Sequence, residues 1–418
     1  VWTNDHSLGA GAPTFAHSMG AAGYHPAVIG RMHAIGPDQL QGFAERRVGD
    51  HGPNYLGGGG VGHGMLNGTA GPARVSLELS GHGQSAYEVH DEAVTAAAVE
   101  YLNEVGARWR AEPDAEPFSL TVGLMLPHQP FVSRRADYDL YRGAMTMPEY
   151  PEPFSDSLHP YLRWWRERCG IVEVTDAEIL RARTAYWALV TRLDSMIGEI
   201  LTALRENGLA DNTLIVYSSD HGEQVGEHGL WWKQTFYERS VGVPGIIAWP
   251  GVLPAGERCN RVVSGLDLPA TMLDALGAPP LPRARGRSLL PLLRGETDEW
   301  EDVAFAELSI DEGWYMRMIR SGDWKLCYYH GHPSQLFNLA EDPQELHDRA
   351  QDPACREVRE QLTARVLDGW DPEWVGEQLA IKRRERDILR TWGQQVRPPD
   401  RYRWAMRPEM SYLDADSS

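Results

Sequence analysis

The 418 residues are 42% hydrophobic and 24% charged, an ordinary globular balance with enough apolar content for one large domain or a large and a small one. A net charge of −19 and a pI near 5.2 exclude nucleic acid and anionic membrane surfaces as general partners, so an anionic substrate would need local cations. No apolar run approaches the ~18 residues of a membrane span, so no membrane partner is expected. Cys169, Cys259, Cys327 and Cys355 lie far apart without CxxC or zinc-type spacing, which points to a reducing compartment, cytoplasmic before secreted. The chain opens at Val1 without an initiator Met and is expected to start inside a fold, so the absence of a leader carries no weight.

In chain order, residues 14–23 read as a short helix and 25–33 as a strand with a polar tip. The stretch 36–83 reads as a flexible insertion. Its glycine run at 57–64 lacks the strand-then-helix setting of a phosphate loop, and His51, His63 and His82 read as solvated. A helix follows over 91–105, then a buried strand over 118–126 that ends at Pro127, His128, Gln129 and Pro130. The clearest helix spans 176–207, with Ile179, Tyr186, Leu189, Leu193, Ile197 and Leu204 on one face. Thr175 or Asp176 caps it and Gly208 ends it.

The β-branched run 214–219 reads as a buried strand ending at Asp220 and His221, followed by a strand at 244–249 and a helix at 268–277. Strands alternating with helices predict an α/β fold, a doubly wound, mostly parallel sheet with helices on both faces. Residues 279–287, rich in proline and arginine, read as a linker. Beyond 301, segments 314–320 and 324–329 read as antiparallel strands of a smaller α+β subdomain with a charged tail from Arg383. The division is therefore a catalytic unit at 1–300 and a subdomain at 301–418.

Three strands end in polar groups: Arg31 with His33, then His128, then Asp220 with His221, and Lys233 follows by a loop. Open α/β sheets place ligands at such strand ends. Asp220 offers carboxylate oxygen to a hard divalent cation such as Ca²⁺, Mg²⁺ or Mn²⁺, and His221 offers a nitrogen ligand or a substrate hydrogen bond. Two ligands do not complete a shell. Sulfuryl or phosphoryl transfer spreads charge over non-bridging oxygens and builds it on the leaving oxygen, so cations there stabilise both, and Lys233 or His128 can protonate the leaving oxygen. The structural alternatives are a strand-capping His128, a surface Lys233, a loop His33 and an inconsequential Asn4. For the pairs Trp164 with Trp165 and Trp231 with Trp232, packing stands at least level with a ligand pocket.

These residues resemble the sulfatase family of the alkaline phosphatase superfamily. The similarity runs through 213–233, with its strand, Asp220-His221-Gly222 and downstream Lys233. It also runs through 243–251, Gly23-Tyr24, Gly30 to His33, Pro127 to Pro130, Asp267 to Thr271, 286–289 and 336–345. It covers most of the chain in the right order. The resemblance implies an alkaline-phosphatase-like fold and one divalent ion, Ca²⁺ before Mg²⁺ or Mn²⁺. By it, Asp220 is a metal ligand and His221 a ligand or substrate contact. Lys233, His128, His33 and Arg31 would contact the sulfate or its leaving group, and Asn4 the substrate.

Two features depart from the family pattern. Arg31 stands where the family usually has Lys, and a guanidinium fork is a different donor from an ammonium. The nucleophile motif Cys-x-Pro/Ala-x-Arg, whose Cys becomes formylglycine, and the family's amino-terminal Asp-Asp are absent from the 418 residues; in the family order both precede Val1. The implied reaction is attack on sulfur by an aldehyde hydrate, giving a covalent sulfate that the second hydroxyl expels. This polypeptide by itself is therefore expected to lack turnover.

Residues 36–43 and 229–233 resemble the choline-sulfatase-like branch, which makes choline sulfate one candidate among small alkyl, aryl and sugar sulfates. A phosphonate monoester or phosphodiester hydrolase of the same superfamily is the nearest alternative, and a non-catalytic anion-binding relative the other. Whether the chain forms a homo-oligomer is open at this level.

Overall fold

The computed structural model describes residues 7–9, 11–60, 62–112, 114–296, 299–310 and 313–417. The first half runs α1 (Phe15–Ala21), β1 (His25–Gly30), β2 (Glu45–Arg47), α2 (Val75–Glu78), β3 (Gly81–Gln84), α3 (Ala86–Ala111), β4 (Phe118–Gly123), β5 (Val132–Ser133), α4 (Arg135–Tyr138), α5 (Pro160–Arg168) and α6 (Asp176–Glu206). Then come β6 (Ile215–Ser218), α7 (Glu238–Val241), β7 (Gly245–Ala248), α8 (Asp267–Ala275) and α9 (Leu290–Leu293). The last part holds β8 (Val303–Ile310), β9 (Trp314–Ser321), β10 (Trp324–Tyr329), β11 (Gln335–Asn338), α10 (Arg356–Leu367), α11 (Pro372–Val396) and β12 (Tyr412–Leu413).

The fold is mixed α/β. Strand β1 lies between β2 and β4 with both ladders parallel. Its side chains alternate as a strand requires: Ala27 and Ile29 pack on α3 residues Val94, Ala98 and Tyr101, while Val28 meets Ala16 of α1 and Phe43 on the other face. Helices thus cover both faces. Helix α6 lies along α3, and its start is a capping box in which Thr175 and Glu178 satisfy each other's backbone N–H. Gly208, at φ 71, follows its end, as the sequence predicts.

The smaller antiparallel sheet has the order β11-β10-β9-β8. Met316, Met318, Cys327 and Phe337 face the core formed by α5, α6 and Trp231, whereas Ile319, Leu326 and Leu336 face Leu362 and Val366 of α10. Trp165, Trp231 and Trp232 lie within the first of these cores, and Trp164 packs against it. The tryptophan pairs are packing.

Several expectations change. Strands β6 and β7 pair antiparallel with each other, and among the described residues neither joins the β1 sheet. The residues of β6 and β7 are half-buried or exposed rather than buried, because the two form a ladder of only two strands, and those of β4 are half-buried at the edge of the β2-β1-β4 sheet. The stretch 36–83 is not a loose insertion. It carries β2, α2 and β3, and its glycines allow backbone contact with the tail: a Cβ on Gly57 would lie 2.2 Å from the Arg390 carbonyl of α11. His51 and His82 are accordingly buried, not solvated. The charged tail holds helix α11, whose start is capped by the Asp371 side chain with Pro372 in its first turn.

Candidate active site at the strand ends

The site grows from three chain reversals. After β1, the Arg31 N–H donates to the Gly123 carbonyl at 2.9 Å, tying the ends of β1 and β4 together. The Arg31 guanidinium donates to His33 Nδ1 at 3.1 Å, and Asp50 lies beneath: its Oδ1 accepts from the His33 N–H at 3.3 Å and its Oδ2 pairs with Arg46 at 2.8 Å. His33 has φ 52, a left-handed conformation that histidine adopts more readily than most residues. After β4, the buried Asp91 carboxylate accepts from the N–H groups of Met125 and Leu126 at 2.7 and 2.8 Å. That fixes the turn carrying His128.

After β6 come Asp220, His221 and Gly222. A Cβ on Gly222 would lie 2.1 Å from the Arg239 carbonyl, so only glycine fits the third position. Glu223 then accepts from the N–H groups of Val225 and Trp232. Trp232 has φ 66, an outlier for a bulky residue, and this carboxylate pins the strained turn that aims Lys233. Burial pushes the Glu223 carboxyl up to about 7, against those two N–H bonds.

Lys233 is the centre. Its Nζ lies 2.7 Å from His221 Nε2 and 3.3 Å from His128 Nε2. His221 Nδ1 meets the Gly222 carbonyl at 2.8 Å and His128 Nδ1 the Gln129 carbonyl at 2.7 Å. A carbonyl only accepts, so both Nδ1 atoms carry the hydrogen and both Nε2 lone pairs take hydrogen bonds from the lysine. Burial, then the Lys233 charge, hold His128 down to about 3 and also lower His221. Desolvation and Arg31 hold His33 to about 4 although its ring reaches the surface. At neutral pH these imidazoles are hydrogen-bonding groups rather than cations, which leaves Arg31 and Lys233 as the cations. Burial lowers Lys233 as well, with Asp220 opposing and Arg31 adding to it.

The structure therefore brings Arg31, His33, His128, Asp220, His221 and Lys233 into one electrostatic neighbourhood, since Lys233 and Asp220 act on His33, and Arg31 on His128 and Lys233. Asn4 lies outside the described residues. Asp220 is 85% exposed, with Oδ2 3.5 Å from His221 Nε2. One carboxylate beside one imidazole fits two positions of a divalent ion's shell. Among the described residues no further His or carboxylate gathers with them as a third ligand.

Tyr87, which no sequence motif marks, and two of the histidines read as solvated complete one wall. The Tyr87 ring lies 6.0 Å from His128, 4.8 Å from His51 and 5.4 Å from His63, continuing the contact of His128 with His221. Burial, then Arg31, hold His51 down to about 2. A signal for this wall existed: Asp50-His51-Gly52 after β2 repeats the Asp220-His221-Gly222 pattern after β6.

The sulfatase family profile matches residues 1–278, and the profile of the N-sulphoglucosamine sulphohydrolase C-terminal region matches 226–370. The chain belongs to the sulfatase family. Members of this metal-dependent family hydrolyse sulfuric esters, and this sulfatase-family chain is 32% identical over 383 residues to the choline-sulfatase of Rhizobium meliloti, covering 87% of itself and 72% of that relative. It is 33% identical over 273 residues to arylsulfatase K of Canis lupus familiaris, covering 57% of itself and 49% of the relative. It thus spans about half the length of that arylsulfatase.

Among solved structures, the phosphonate monoester hydrolase of Agrobacterium radiobacter superposes with a TM-score of 0.69 at 24% identity, covering 88% of this chain and 82% of that one. A putative sulfatase from Bacteroides thetaiotaomicron gives 0.66 at 21%, covering 88% and 77%. At these identities the likeness concerns the fold, which is alkaline-phosphatase-like. No described helix is long and apolar enough to cross a membrane.

Proposed function

We propose that this protein hydrolyses a small sulfate monoester, with choline sulfate the first candidate ahead of aryl and sugar sulfates. The observation that carries the proposal is the Lys233 ammonium held between the Nε2 atoms of His128 and His221, with Arg31 as a second cation nearby. Two cations among neutral imidazoles suit a tetrahedral oxyanion whose charge grows on the leaving oxygen. Lys233 Nζ donates to that oxygen, and His128 Nε2 orients the ammonium. Arg31 holds a non-bridging oxygen with its fork, and His33 lines the rim. Asn4 is a further substrate contact.

Asp220 is the metal ligand. His221 Nε2 already accepts from Lys233, which favours a place beside the substrate over one on the ion. A divalent cation, Ca²⁺ before Mg²⁺ or Mn²⁺, would supply positive charge to the sulfate oxygens when bound. The attacking formylglycine is not among the 418 residues. Residues 1–300 form the catalytic unit and 301–418 the subdomain. The four cysteines, all free, support a reducing compartment. Homo-oligomerisation is read from the mass in solution.

The choice of choline sulfate rests on the likeness to the choline-sulfatase of Rhizobium meliloti. The test compares the product of the complete gene on choline sulfate, an aryl sulfate and a phosphonate monoester. Sulfates turned over faster, choline sulfate first, support the proposal. Faster phosphonate turnover makes it a phosphonate hydrolase, and sulfate binding without turnover makes it an anion-binding relative.

A further inference from the structure

We propose that His82 and Asp416, with Asp414 orienting the imidazole, form a second cation site for a borderline divalent ion such as Zn²⁺, and that the ion pins the C-terminal segment to β3. The three side chains offer ligand atoms that all lie within 4.8 Å of one another. They come from segments 332 residues apart in the chain. Strand β12 pairs antiparallel with β3, Tyr412 opposite Gln84 and Leu413 opposite Gly83. Beyond it the Asp414 N–H donates to the His82 carbonyl at 3.0 Å, and the His82 N–H donates to Ser417 Oγ at 2.7 Å. The backbone is therefore preset before any ion arrives.

His82 supplies the second observation. It is 1% exposed, and its Nδ1 lies 2.7 Å from Asp414 Oδ2. A carboxylate only accepts, so Nδ1 carries the hydrogen, and in the neutral imidazole that an ion would bind Nε2 presents a lone pair. That Nε2 is buried without a hydrogen-bond partner, and Asp416 Oδ1 faces it at 3.8 Å. Two acceptors confronting each other at a distance too long for an N–H···O bond call for positive charge between them. An ion bonded at about 2.1 Å to each spans that gap at an open angle. Asp414 then acts as the carboxylate that fixes the tautomer of a ligating histidine. Asp416 is 59% exposed, which leaves water the remaining positions.

One group competes. Arg135 grips Asp416 through two contacts, Nη1 to Oδ1 at 2.9 Å and Nη2 to Oδ2 at 2.6 Å, and therefore weakens the site without closing it. Mixed nitrogen and carboxylate ligation favours Zn²⁺ over Ca²⁺ or Mg²⁺. The consequence is local to the functional site: β3 runs directly into Ser85, the N-cap of α3, whose first two turns carry Tyr87, His90 and Asp91 behind His128.

The test titrates Zn²⁺ into the chelator-treated 418-residue chain carrying Asp220→Asn, so that the strand-end ligand is removed. One equivalent is expected to bind and to raise the melting temperature. Asp416→Asn, a surface change that preserves the fold, should weaken binding at least tenfold and abolish the Tm shift, and His82→Gln should do the same. Arg135→Gln should tighten binding by freeing Asp416. Absence of Zn²⁺ binding in the parent, or unchanged affinity in Asp416→Asn, overturns the proposal.

Discussion

Two lysines in this chain sit among polar groups, and their surroundings send them in opposite directions. Lys325 of β10 is fully buried, with Glu345 Oε1 at 2.6 Å and Glu238 Oε1 at 3.0 Å, and Arg320 shares Glu238 at 2.8 Å. Burial opposes its charge, yet the carboxylates outweigh that cost and raise its pKa. Lys233 is half-buried and meets two imidazole lone pairs; among the described residues no carboxylate reaches ion-pair distance, and burial lowers its pKa. A lysine whose charge is cancelled by fixed carboxylates is a structural tie. One held by neutral acceptors keeps an uncompensated charge for an incoming anion.

The largest effect should come from breaking the first arrangement. Lys325→Met leaves Glu345 and Glu238 without their buried cation, and a loss of about 3–5 kcal/mol is expected in denaturant unfolding. If the two lysines were equivalent, Lys233→Met would cost as much; it is expected instead to leave the unfolding midpoint nearly unchanged or raised.

The same Lys233 variant should show its effect in turnover by the complete gene product. Loss of a fixed donor to the developing oxyanion is expected to lower kcat/KM about 10²–10³-fold on a sulfate ester. Lys325 variants that remain folded should retain kcat/KM, and a similar fall in both would erase the distinction.

Acid sharpens the comparison through the wall beside Lys233. His51 is held to about 2 in the folded chain, first by burial, against an ordinary value of 6.5. Between those values the unfolded chain binds the extra proton, so stability is full above pH 6.5 and falls as pH drops toward 2. Its share of the slope is at most about 1.4 kcal/mol per pH unit. His51→Gln should flatten the stability profile between pH 6.5 and 4.5, and a profile parallel to the parent's would show that His51 titrates normally.

The smallest effect concerns the base of the cluster. Asp50→Asn keeps the shape but removes the charge that gathers Arg46, Arg31 and the His33 N–H. A loss of about 1–3 kcal/mol in stability is expected, with a rise in KM for the sulfate ester larger than any fall in kcat. A fall confined to kcat would place Asp50 in the chemistry rather than in positioning.

Much of the site is legible one residue at a time. Asp220 and His221 follow a β-branched strand, and His128 ends a run with the same period, so their place at strand ends follows from local pattern. Tyr87 and Asp91 are not legible that way, and Asp50 is marked only by the repeat of the Asp-His-Gly pattern. Asp91 sits in the middle of a helical pattern, and its role appears only when α3 is laid against the turn at 125–126. The stretch 36–83 misled because glycine-rich composition signals flexibility when read alone, whereas here it permits close packing of Gly57 on α11.

The sequence by itself determined the period, cap and stop of α6, the strand-end polar residues and the family to which they belong, because each depends on near neighbours in the chain. Only the tertiary structure decided that β6 pairs with β7, that Lys233 bridges His128 and His221, that His82 meets Asp414, and that Lys325 is neutralised while Lys233 is not. Those outcomes turn on desolvation and on partners up to 332 residues away. Burial and charge pairing are properties of a place in the fold rather than of a residue type.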